Sequence, residues 1–257
     1  MIFESHAHYE DKQFDRDRES LLASMKEHGI GTIINVGSDI ETSKKTLALA
    51  EQYPFVYGAI GVHPSEVEGL TEEDFLWLQE KAGNPRVTAI GEIGLDYYWE
   101  KDEQMRAQQQ YWFFRQLELA KKSGLPVIIH SRDAAEDTLL IMKWASAEGI
   151  KGVIHCFSYS KEMAEEYVKL GFYIGIGGVI TFKNAKKVRE AAAAVPLERI
   201  LLETDCPYLA PEPYRGSRNS SLYLPQIAEE IARVKEISPE EVIRATRENA
   251  EALFGRS

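Results

Sequence analysis

The sequence predicts a (β/α)8 barrel, and three observations support that fold class. Apolar or β-branched runs alternate along the chain with longer amphipathic, charged segments, eight times at a spacing of roughly 25–35 residues. The length of 257 residues is usual for one such barrel. No Gly-x-Gly-x-x-Gly motif follows the first predicted strand, so a doubly wound open sheet is the second choice. No linker, repeat or change in composition marks a boundary, and we expect one domain over residues 1–257.

The predicted strands are the runs richest in apolar and β-branched residues: Ile2–His8, Thr32–Val36, Val56–Val62, Val87–Leu95, Val127–His130, Val153–Phe157, Phe172–Ile176 and Ile200–Asp205. Amphipathic segments between them predict helices, including Asp15–His28, Glu41–Gln52, Glu103–Ser123, Ala134–Glu148 and Lys161–Leu170. Gly29 and Gly124 are suited to end the first and the longest of these helices. Ser238-Pro239-Glu240-Glu241 has the pattern of a capped helix start, and it begins a final helix that runs to about Phe254.

Composition and charge limit the classes of function. The hydrophobic fraction of 44% and the charged fraction of 28% are ordinary for a globular protein, and no apolar run reaches the ~20 residues that span a bilayer. The N-terminus lacks the pattern of a signal peptide, and Cys156 and Cys206 have neither metal-binding nor redox spacing, so we expect a cytoplasmic protein. The net charge of −11 argues against binding of nucleic acid through a broad basic surface. An anionic substrate therefore needs positive charge close to the site.

Most of the histidines fall at the ends of predicted strands: His6, His8, His63, His130 and His155. In a parallel barrel these C-terminal ends form the catalytic face. Acidic residues follow the same rule, because Glu92 lies in the apolar fourth strand and Glu203 and Asp205 alternate in the eighth. A carboxylate in an apolar strand costs several kcal/mol to desolvate unless it is paired or binds a metal. The sequence therefore predicts a metal centre at this face.

Four histidines and two carboxylates are too many ligands for one tetrahedral ion, but they suit two divalent ions bridged by a carboxylate. Glu92 is the expected bridge, because the fourth strand lies between the two sets of ligands. The ligands expected for one ion lie on the first and eighth strands, which close the barrel: His6, His8 and Asp205. Those expected for the other ion lie on the adjacent fifth and sixth strands: His130 and His155.

Several motifs occur in a fixed order along the chain: Glu4-Ser5-His6-Ala7-His8, Gly61-Val62-His63-Pro64, Gly91-Glu92-Ile93-Gly94-Leu95-Asp96, Ile129-His130-Ser131-Arg132, His155-Cys156-Phe157-Ser158, Glu203-Thr204-Asp205-Cys206-Pro207-Tyr208 and, near the C-terminus, Asn249-Ala250-Glu251-Ala252-Leu253-Phe254. Together they resemble the TatD family of metal-dependent deoxyribonucleases, within the amidohydrolase-like superfamily of barrels. The resemblance implies the same six metal ligands. It also implies 3′-to-5′ removal of nucleotides from DNA, preferentially single-stranded, supported by magnesium or another divalent ion.

Two departures from the family pattern affect the predicted site. The first motif usually begins with Asp, whereas this chain has Glu4, one methylene longer and expected to point towards the metals. We expect Glu4 to support the site rather than to bind an ion. After the eighth strand the family often has Gly-x-Arg-Asn-Glu-Pro, whereas this chain reads Gly216-Ser217-Arg218-Asn219-Ser220-Ser221 and lacks the acid and the proline.

The expected chemistry is phosphodiester hydrolysis by a water that two divalent ions activate. Asp205 is expected to accept the proton of that water. Glu203 is expected to orient the water or hold a further ion, with a supporting hydrogen bond as the alternative. His63 is expected to hold a phosphate oxygen or to protonate the leaving oxygen. Magnesium, manganese and zinc all remain open as the two ions.

Candidate substrate-binding residues flank the same face. Arg132 and Arg218 are suited to clamp phosphate with two hydrogen bonds. Tyr97, Tyr98 and Trp99 follow the fourth strand, where aromatic rings stack on unpaired bases for ~1–3 kcal/mol each. Among these we select Tyr98. Single-stranded DNA is the expected partner, and we expect neither a membrane nor an obligate protein partner.

Two other functions remain open. A metal-dependent hydrolase of a small amide, lactone or phosphoester can use the same barrel, because this fold supports many chemistries. Many such relatives have a bridging lysine on the fourth strand where this chain has Glu92, which favours the nuclease. The other alternative is a nucleic-acid-binding barrel without catalysis. The complete set of ligands argues against it.

Overall fold

The structure is a computed structural model and describes residues 1–256. Its eight strands form one parallel sheet in sequential order: Ile2–Ala7 (β1), Ile30–Val36 (β2), Val56–Ile60 (β3), Val87–Asp96 (β4), Val127–Arg132 (β5), Gly152–Ile154 (β6), Tyr173–Ile176 (β7) and Ile200–Leu202 (β8). β1 meets the segment after β8 through a parallel bridge between Ala7 and Cys206, next to a 2.8 Å hydrogen bond from the His8 amide to the Cys206 carbonyl. The predicted (β/α)8 barrel is confirmed.

The α-helices of the described chain follow the strands in alternation: Arg18–Ser24 (α1), Ile40–Gln52 (α2), Glu72–Lys81 (α3), Glu103–Ser123 (α4), Ala135–Ala147 (α5), Lys161–Lys169 (α6), Lys186–Ala194 (α7), Leu224–Lys235 (α8) and Pro239–Phe254 (α9). The predicted cap of the last helix is confirmed, because the Ser238 side chain accepts a 3.2 Å hydrogen bond from the Glu241 amide. Gly124 ends α4 at φ 69°, as predicted. None of these helices is both long and apolar enough to cross a membrane.

Three strands end two or three residues earlier than predicted, all at the C-terminal mouth of the barrel. β3 ends at Ile60 and β6 at Ile154, and β8 ends at Leu202 rather than at Asp205. Asp205 has a φ of 58° and Cys156 a φ of 44°, which extended backbone does not allow. The polar residues after these strands therefore lie on tight turns, and strand alternation does not fix their directions.

The barrel interior is apolar away from this mouth. A cluster of buried side chains from around the barrel fills it: Phe3, Ile34, Val36, Ala59, Ala89, Ile128, Val153 and Leu201. Phe254 at the end of α9 joins this cluster, and its ring stacks on Phe3 at 6.1 Å between centroids. Each large side chain buried in this way contributes about 1.5–3 kcal/mol. An apolar core thus supports the polar groups at the mouth.

Candidate metal centre

The structure brings the six predicted metal ligands together at the C-terminal ends of the strands: His6, His8, Glu92, His130, His155 and Asp205. Their sequence separation is large, and parallel pairing around the barrel is what makes them neighbours. Glu92 lies within β4 and His130 within β5, whereas Asp205 follows β8 on its turn.

The first group of donors is formed by His6, His8 and Asp205. The Nε2 atoms of His6 and His8 lie 3.0 Å apart. Oδ1 of Asp205 lies 3.7 Å from the first nitrogen and 3.3 Å from the second. Donors at about 2.1 Å from a tetrahedral ion are separated by roughly 3.4 Å. The three atoms therefore have the spacing of ligands to one ion.

The tautomer of His8 is fixed by the backbone of β2. Its Nδ1–H donates a 2.7 Å hydrogen bond to the Val36 carbonyl, which can only accept. Oε1 of Glu10 lies 3.5 Å from the same nitrogen. With the proton held at Nδ1, the lone pair of Nε2 faces the group of donors. This is the outer hydrogen bond that metal-binding histidines ordinarily make.

The carboxylate of Glu92 lies between the two sets of histidines. Its Oε2 lies 3.4 Å from Nε2 of His6. Its Oε1 lies 2.9 Å from Nδ1 of His130 and 3.2 Å from Nε2 of His155. Each oxygen thus faces a different histidine set. This is the arrangement that the bridging role requires.

The second group contains one donor more than the sequence predicts. His63, which we did not include among the ligands, has its Nε2 3.8 Å from Oε1 of Glu92, and its ring centroid lies 4.2 Å from that of His130. His63, Glu92 and His130 supply donor atoms that all lie within 4.8 Å of one another. His63 therefore lies beside the second group of donors.

Burial and the mutual contacts of these groups set their charges. Burial alone would raise the pKa of Glu92, but His155, His130 and His6 hold it well below its usual range. Burial likewise raises the pKa of Asp205, and its contacts with His8, His155 and His6 outweigh that effect. Carboxylates that stay ionised in a buried site need cations beside them. Two divalent ions supply such charge, so the donor set fits them in chemistry, and the first group fits an ion in spacing as well.

Glu203 lies behind the histidines rather than in the cavity. It is completely buried, and its Oε1 lies 3.3 Å from Nδ1 of His155 and accepts a 2.5 Å hydrogen bond from the Cys156 amide. Gly175 on β7 makes room for it, because a Cβ there would collide with the Glu203 carboxylate. The geometry therefore does not support direct contact between Glu203 and a reacting water. The alternative, support of a ligand, fits the geometry.

Glu4 does not point towards the donors, contrary to our expectation for its direction. Its carboxylate accepts hydrogen bonds from the amide and hydroxyl of Thr204 at 2.9 and 2.7 Å and from the Ser221 hydroxyl at 2.8 Å. Between Glu4 and Ala7, β1 contains one residue more than its partner β2, so simple alternation fails there. Glu4 thus ties β1 to the segment after β8, which includes Asp205.

A cavity of about 900 Å³ opens above the donors. Arg132 and Trp99 line it together with His63 and Tyr208. Tyr98, the aromatic that we selected from the sequence, lies under Arg132, whose guanidinium carbon is 3.9 Å from the centre of its ring. Tyr98 is 42% exposed but does not line the cavity, whereas the next residue, Trp99, is 72% exposed and does.

Arg218 lies away from this cavity. Its guanidinium donates two hydrogen bonds, of 2.7 and 2.6 Å, to the carboxylate of Asp17, and another of 2.7 Å to the Gln13 carbonyl. It also stacks over the ring of Phe14 at 4.6 Å. Its donors already have partners, so the geometry does not support the predicted phosphate clamp. A long-range ion pair of this kind leaves no local signal in the sequence.

Two residues of the site were absent from our predicted set. Oδ2 of Asp96 lies 3.1 Å from Nε2 of His130, and Glu10 faces His8 and accepts a 2.7 Å hydrogen bond from the Asn35 side chain. A signal for Asp96 exists, because residues 92, 94 and 96 share one face of a regular strand. Glu10 follows the turn after β1, and no comparable periodicity points to it.

Comparison with known proteins supports a single family over the whole chain. Residues 3–255 match the family described as TatD related DNase. The chain is 44% identical over 254 residues to the uncharacterized metal-dependent hydrolase YabD of Bacillus subtilis strain 168, which covers 99% of both chains. It is 34% identical over 258 residues to the uncharacterized metal-dependent hydrolase YcfH of Escherichia coli K12, which covers 99% of this chain and 96% of the relative.

A solved structure agrees with the sequence matches. The crystal structure of YJJV, a TatD homologue from Escherichia coli K12, is similar with a TM-score of 0.93 and 32% identity, over 100% of this chain and 98% of that one. The fold, the grouped donors and these matches agree. The chain therefore belongs to the TatD family of metal-dependent hydrolases.

Proposed function

We propose that this protein is a metal-dependent deoxyribonuclease that removes nucleotides from the 3′ end of single-stranded DNA. The observation that carries the proposal is Glu92, whose two oxygens face separate histidine sets 2.9–3.4 Å away. Two ions bridged in this way suit in-line displacement at phosphate, since one can stabilise the attacking oxygen and the other the leaving oxygen. The family's description as a DNase supports the choice of substrate, and the polarity and single-strand preference rest on the resemblance stated above.

The proposed donors are His6, His8 and Asp205, which lie together, for one ion, His130 and His155, which each face Oε1 of Glu92, for the other, and Glu92 for both. When bound, the ions draw the scissile phosphate and lower the pKa of a water towards neutrality. Asp205 is the proposed proton acceptor, because its lowered pKa keeps it ionised and its side chain is partly open to the cavity.

His63 is the proposed phosphate contact, rather than the proton donor that the sequence left as the alternative. Its Nδ1 accepts a 3.1 Å hydrogen bond from the Ser65 amide, so the proton of the neutral ring sits on Nε2, the nitrogen nearer Glu92. Burial, followed by the nearby His130, lowers the pKa of His63 to about 3. A neutral imidazole with its N–H at Nε2 can donate a hydrogen bond to a phosphate oxygen.

Glu203 has a positioning role in this proposal. Its Oε1 lies 3.3 Å from Nδ1 of His155 without a hydrogen bond between them, and the negative charge there favours a proton on Nδ1 and leaves Nε2 to face Glu92. The same carboxylate fixes the turn at Cys156 through the backbone amide. Glu203 therefore acts through His155 rather than on the substrate.

The test is digestion of single-stranded DNA of defined sequence that carries a label at one end, by protein loaded with magnesium, manganese or zinc in turn. A 5′ label should yield a ladder that shortens from the 3′ end, and a 3′ label should appear at once as mononucleotide. A chelator should stop both reactions. The variant Glu92→Gln, purified in the same way, is the control against a contaminating nuclease.

Two results would contradict the proposal. If none of the three metals supports shortening of the DNA while the protein hydrolyses a small lactone, amide or phosphoester, the second hydrolase function replaces the nuclease. If the wild type and Glu92→Gln bind DNA equally and neither cleaves any of these substrates, the non-catalytic alternative replaces both. An RNA strand of the same sequence, digested in parallel, shows whether the protein distinguishes DNA from RNA.

A further inference from the structure

We infer that Trp99 is a stacking platform for one unpaired base of a single-stranded nucleic acid, held at the rim of the cavity beside the phosphate to be cut. This inference rests on the proposed function and assigns the part of the molecule that binds the base. It replaces Tyr98, the residue expected from the sequence, by its neighbour.

The exposure of Trp99 is the first observation. The side chain is 72% exposed, whereas Trp112 is 5% exposed and packs in the core. An indole buries a large apolar area when it packs, so a folded protein ordinarily covers most of it. Trp99 nevertheless lines the cavity that contains His63, His130 and Asp205. An uncovered aromatic face beside catalytic groups indicates a ligand that covers it.

Tyr98 and Arg132 pack beside the indole of Trp99. The rings of Tyr98 and Trp99 meet edge to face, with centroids 4.6 Å apart and planes at 87°. The guanidinium of Arg132 stacks 3.9 Å from the centre of Tyr98 and lies 5.7 Å from the centre of Trp99. The Tyr98 ring thus supports one side of the indole, and Arg132 places a positive charge beside it. A base on an aromatic ring with an arginine next to its phosphate is the usual combination at single-strand sites.

One carboxylate fixes the platform relative to the metal donors. Oδ1 of Asp96 accepts hydrogen bonds from the amides of Tyr98 at 2.9 Å and Trp99 at 3.3 Å. Oδ2 of the same residue lies 3.1 Å from Nε2 of His130. The position of the indole and that of a proposed metal ligand are therefore set by a single side chain. A platform at a fixed distance from the scissile bond is what removal of one nucleotide at a time requires.

Among the other aromatic residues near the mouth, Tyr97 and Tyr159 are held by hydrogen bonds, and Tyr208, which is 49% exposed, lies by the first group of donors. Tyr97 is buried and its hydroxyl binds Asp137 at 2.9 Å. The Tyr159 hydroxyl binds Ser131 at 3.0 Å, and that of Tyr208 binds Asp11 at 3.1 Å. Tyr208 also lines the cavity, but its ring centroid lies 6.3 Å from that of His8, which places it by the first group of donors.

The net charge gives an independent reason for such a platform. At −11 the protein as a whole repels a polyanion, so contacts with the phosphate backbone cannot supply most of the affinity. Stacking on a base does not depend on net charge and accepts any base. Trp99 with Arg132 can therefore hold a strand that the rest of the surface repels.

The experiment compares Trp99→Ala, Trp99→Phe and Leu140→Ala, the last being a change of a 69% exposed apolar residue on α5. Affinity for a fluorescein-labelled phosphorothioate oligothymidylate, which resists hydrolysis, is measured by anisotropy with metal, and kcat and KM are measured on the normal strand. We expect Trp99→Ala to weaken affinity and raise KM about 5- to 150-fold, equivalent to ~1–3 kcal/mol, with kcat nearly unchanged. Trp99→Phe should recover most of the loss, and Leu140→Ala should match the wild type.

A strand with abasic sites in place of the last bases completes the test. It should bind the wild type as weakly as normal DNA binds Trp99→Ala, and it should show no further loss with that variant. The inference is overturned if Trp99→Ala binds and cleaves like the wild type, if Trp99→Phe loses as much as Trp99→Ala, or if the wild type does not bind the strand.

The two proposals fail separately. Cleavage of DNA that is indifferent to Trp99 leaves the proposed function standing and removes the platform. Binding that depends on Trp99 and on the bases, without cleavage under any metal, keeps the platform and removes the nuclease activity.

Discussion

Glu4 and Thr204 are 200 residues apart in the chain, yet both oxygens of the Glu4 carboxylate accept hydrogen bonds from Thr204, at 2.9 Å from its amide and 2.7 Å from its hydroxyl. Thr204 directly precedes Asp205, and the amide of His6 lies 3.2 Å from the same carboxyl group. Glu4 therefore joins the two segments that carry the first group of donors.

The titration of Glu4 should be visible in the stability of the metal-free protein. Burial raises the pKa of Glu4 from 4.5 to about 8 although four hydrogen bonds oppose it. Because the folded state holds this proton more tightly, the contribution of Glu4 to the free energy of unfolding is complete below pH 4.5 and is lost as the pH rises to about 8. Glu4→Gln, which imitates the protonated form, should remove that dependence.

Denaturant unfolding in a chelator at several pH values measures this effect. Glu4→Ala, which leaves the donors of Thr204 and Ser221 without their acceptor, should cost about 2–4 kcal/mol at low pH and progressively less as the pH approaches 8. A wild type and a Glu4→Gln variant with parallel pH profiles between pH 5 and about 8 would show that Glu4 is ionised throughout.

Glu92→Gln should disrupt both groups of donors at once. An amide cannot offer a negative oxygen to each histidine set, so we expect fewer than the proposed two ions per chain and a fall in kcat of about 10²–10³-fold or more. Elemental analysis of the purified protein gives the stoichiometry. Glu66→Gln, an exposed carboxylate on the rim of the same cavity, is the matched control and should keep both metal and activity.

Removal of metal should lower the thermal stability. A ligand at 100 times its Kd adds about 2.7 kcal/mol, which for a domain of this size corresponds to roughly 5–10 °C in Tm. Calorimetry before and after chelation measures the change. His6→Ala should lose most of this difference, whereas His28→Ala, at an exposed position away from the donors, should keep it. An equal response to chelation in both variants would place the stabilising ions elsewhere.

Asp96→Asn should weaken the second group of donors selectively. Loss of the charge beside Nε2 of His130 should reduce affinity for one of the two ions about 10- to 100-fold, since outer partners of metal-binding histidines have effects of this size. Calorimetric titration resolves the two ions if their affinities separate. Asp102→Asn, at the N-cap of α4, keeps its capping role and serves as the control. Equal weakening of both ions would refute a local role for Asp96.

Arg218→Ala should leave catalysis unchanged within about twofold, because its guanidinium binds Asp17 and Gln13 outside the cavity. Its hydrogen bond lowers the pKa of Asp17, so the small stability of the pair, at most about 1 kcal/mol, is present above the usual pKa of Asp17, 3.8, and is lost at lower pH. Steady-state kinetics and a thermal melt test both points. A tenfold loss of kcat/KM would return Arg218 to the substrate site.

The sequence by itself determined the fold class and the neighbourhood of the donors. Alternating apolar and amphipathic runs predict a parallel barrel. A residue at the C-terminal end of any strand then lies at the same mouth of the barrel. His130 could be placed for this reason, because it lies inside a strand whose pairing is regular at that position. Glu92 lies where the pairing of β4 with β5 shifts register, between Ile90 and Ile93, so its prediction rested on an acid within an apolar strand rather than on alternation. The physical basis is local: side-chain direction follows the strand when the backbone is extended.

Only the tertiary structure decided the residues that lie beyond regular strands. A bulge in β1 turns Glu4 towards Thr204, and the tight turn after β6 places Cys156 where its amide binds Glu203. The choice of Trp99 over Tyr98 depends on packing against Arg132, a residue of another strand. The directions of these side chains depend on contacts between segments far apart in the chain. Sequence periodicity and motif spacing therefore cannot predict them.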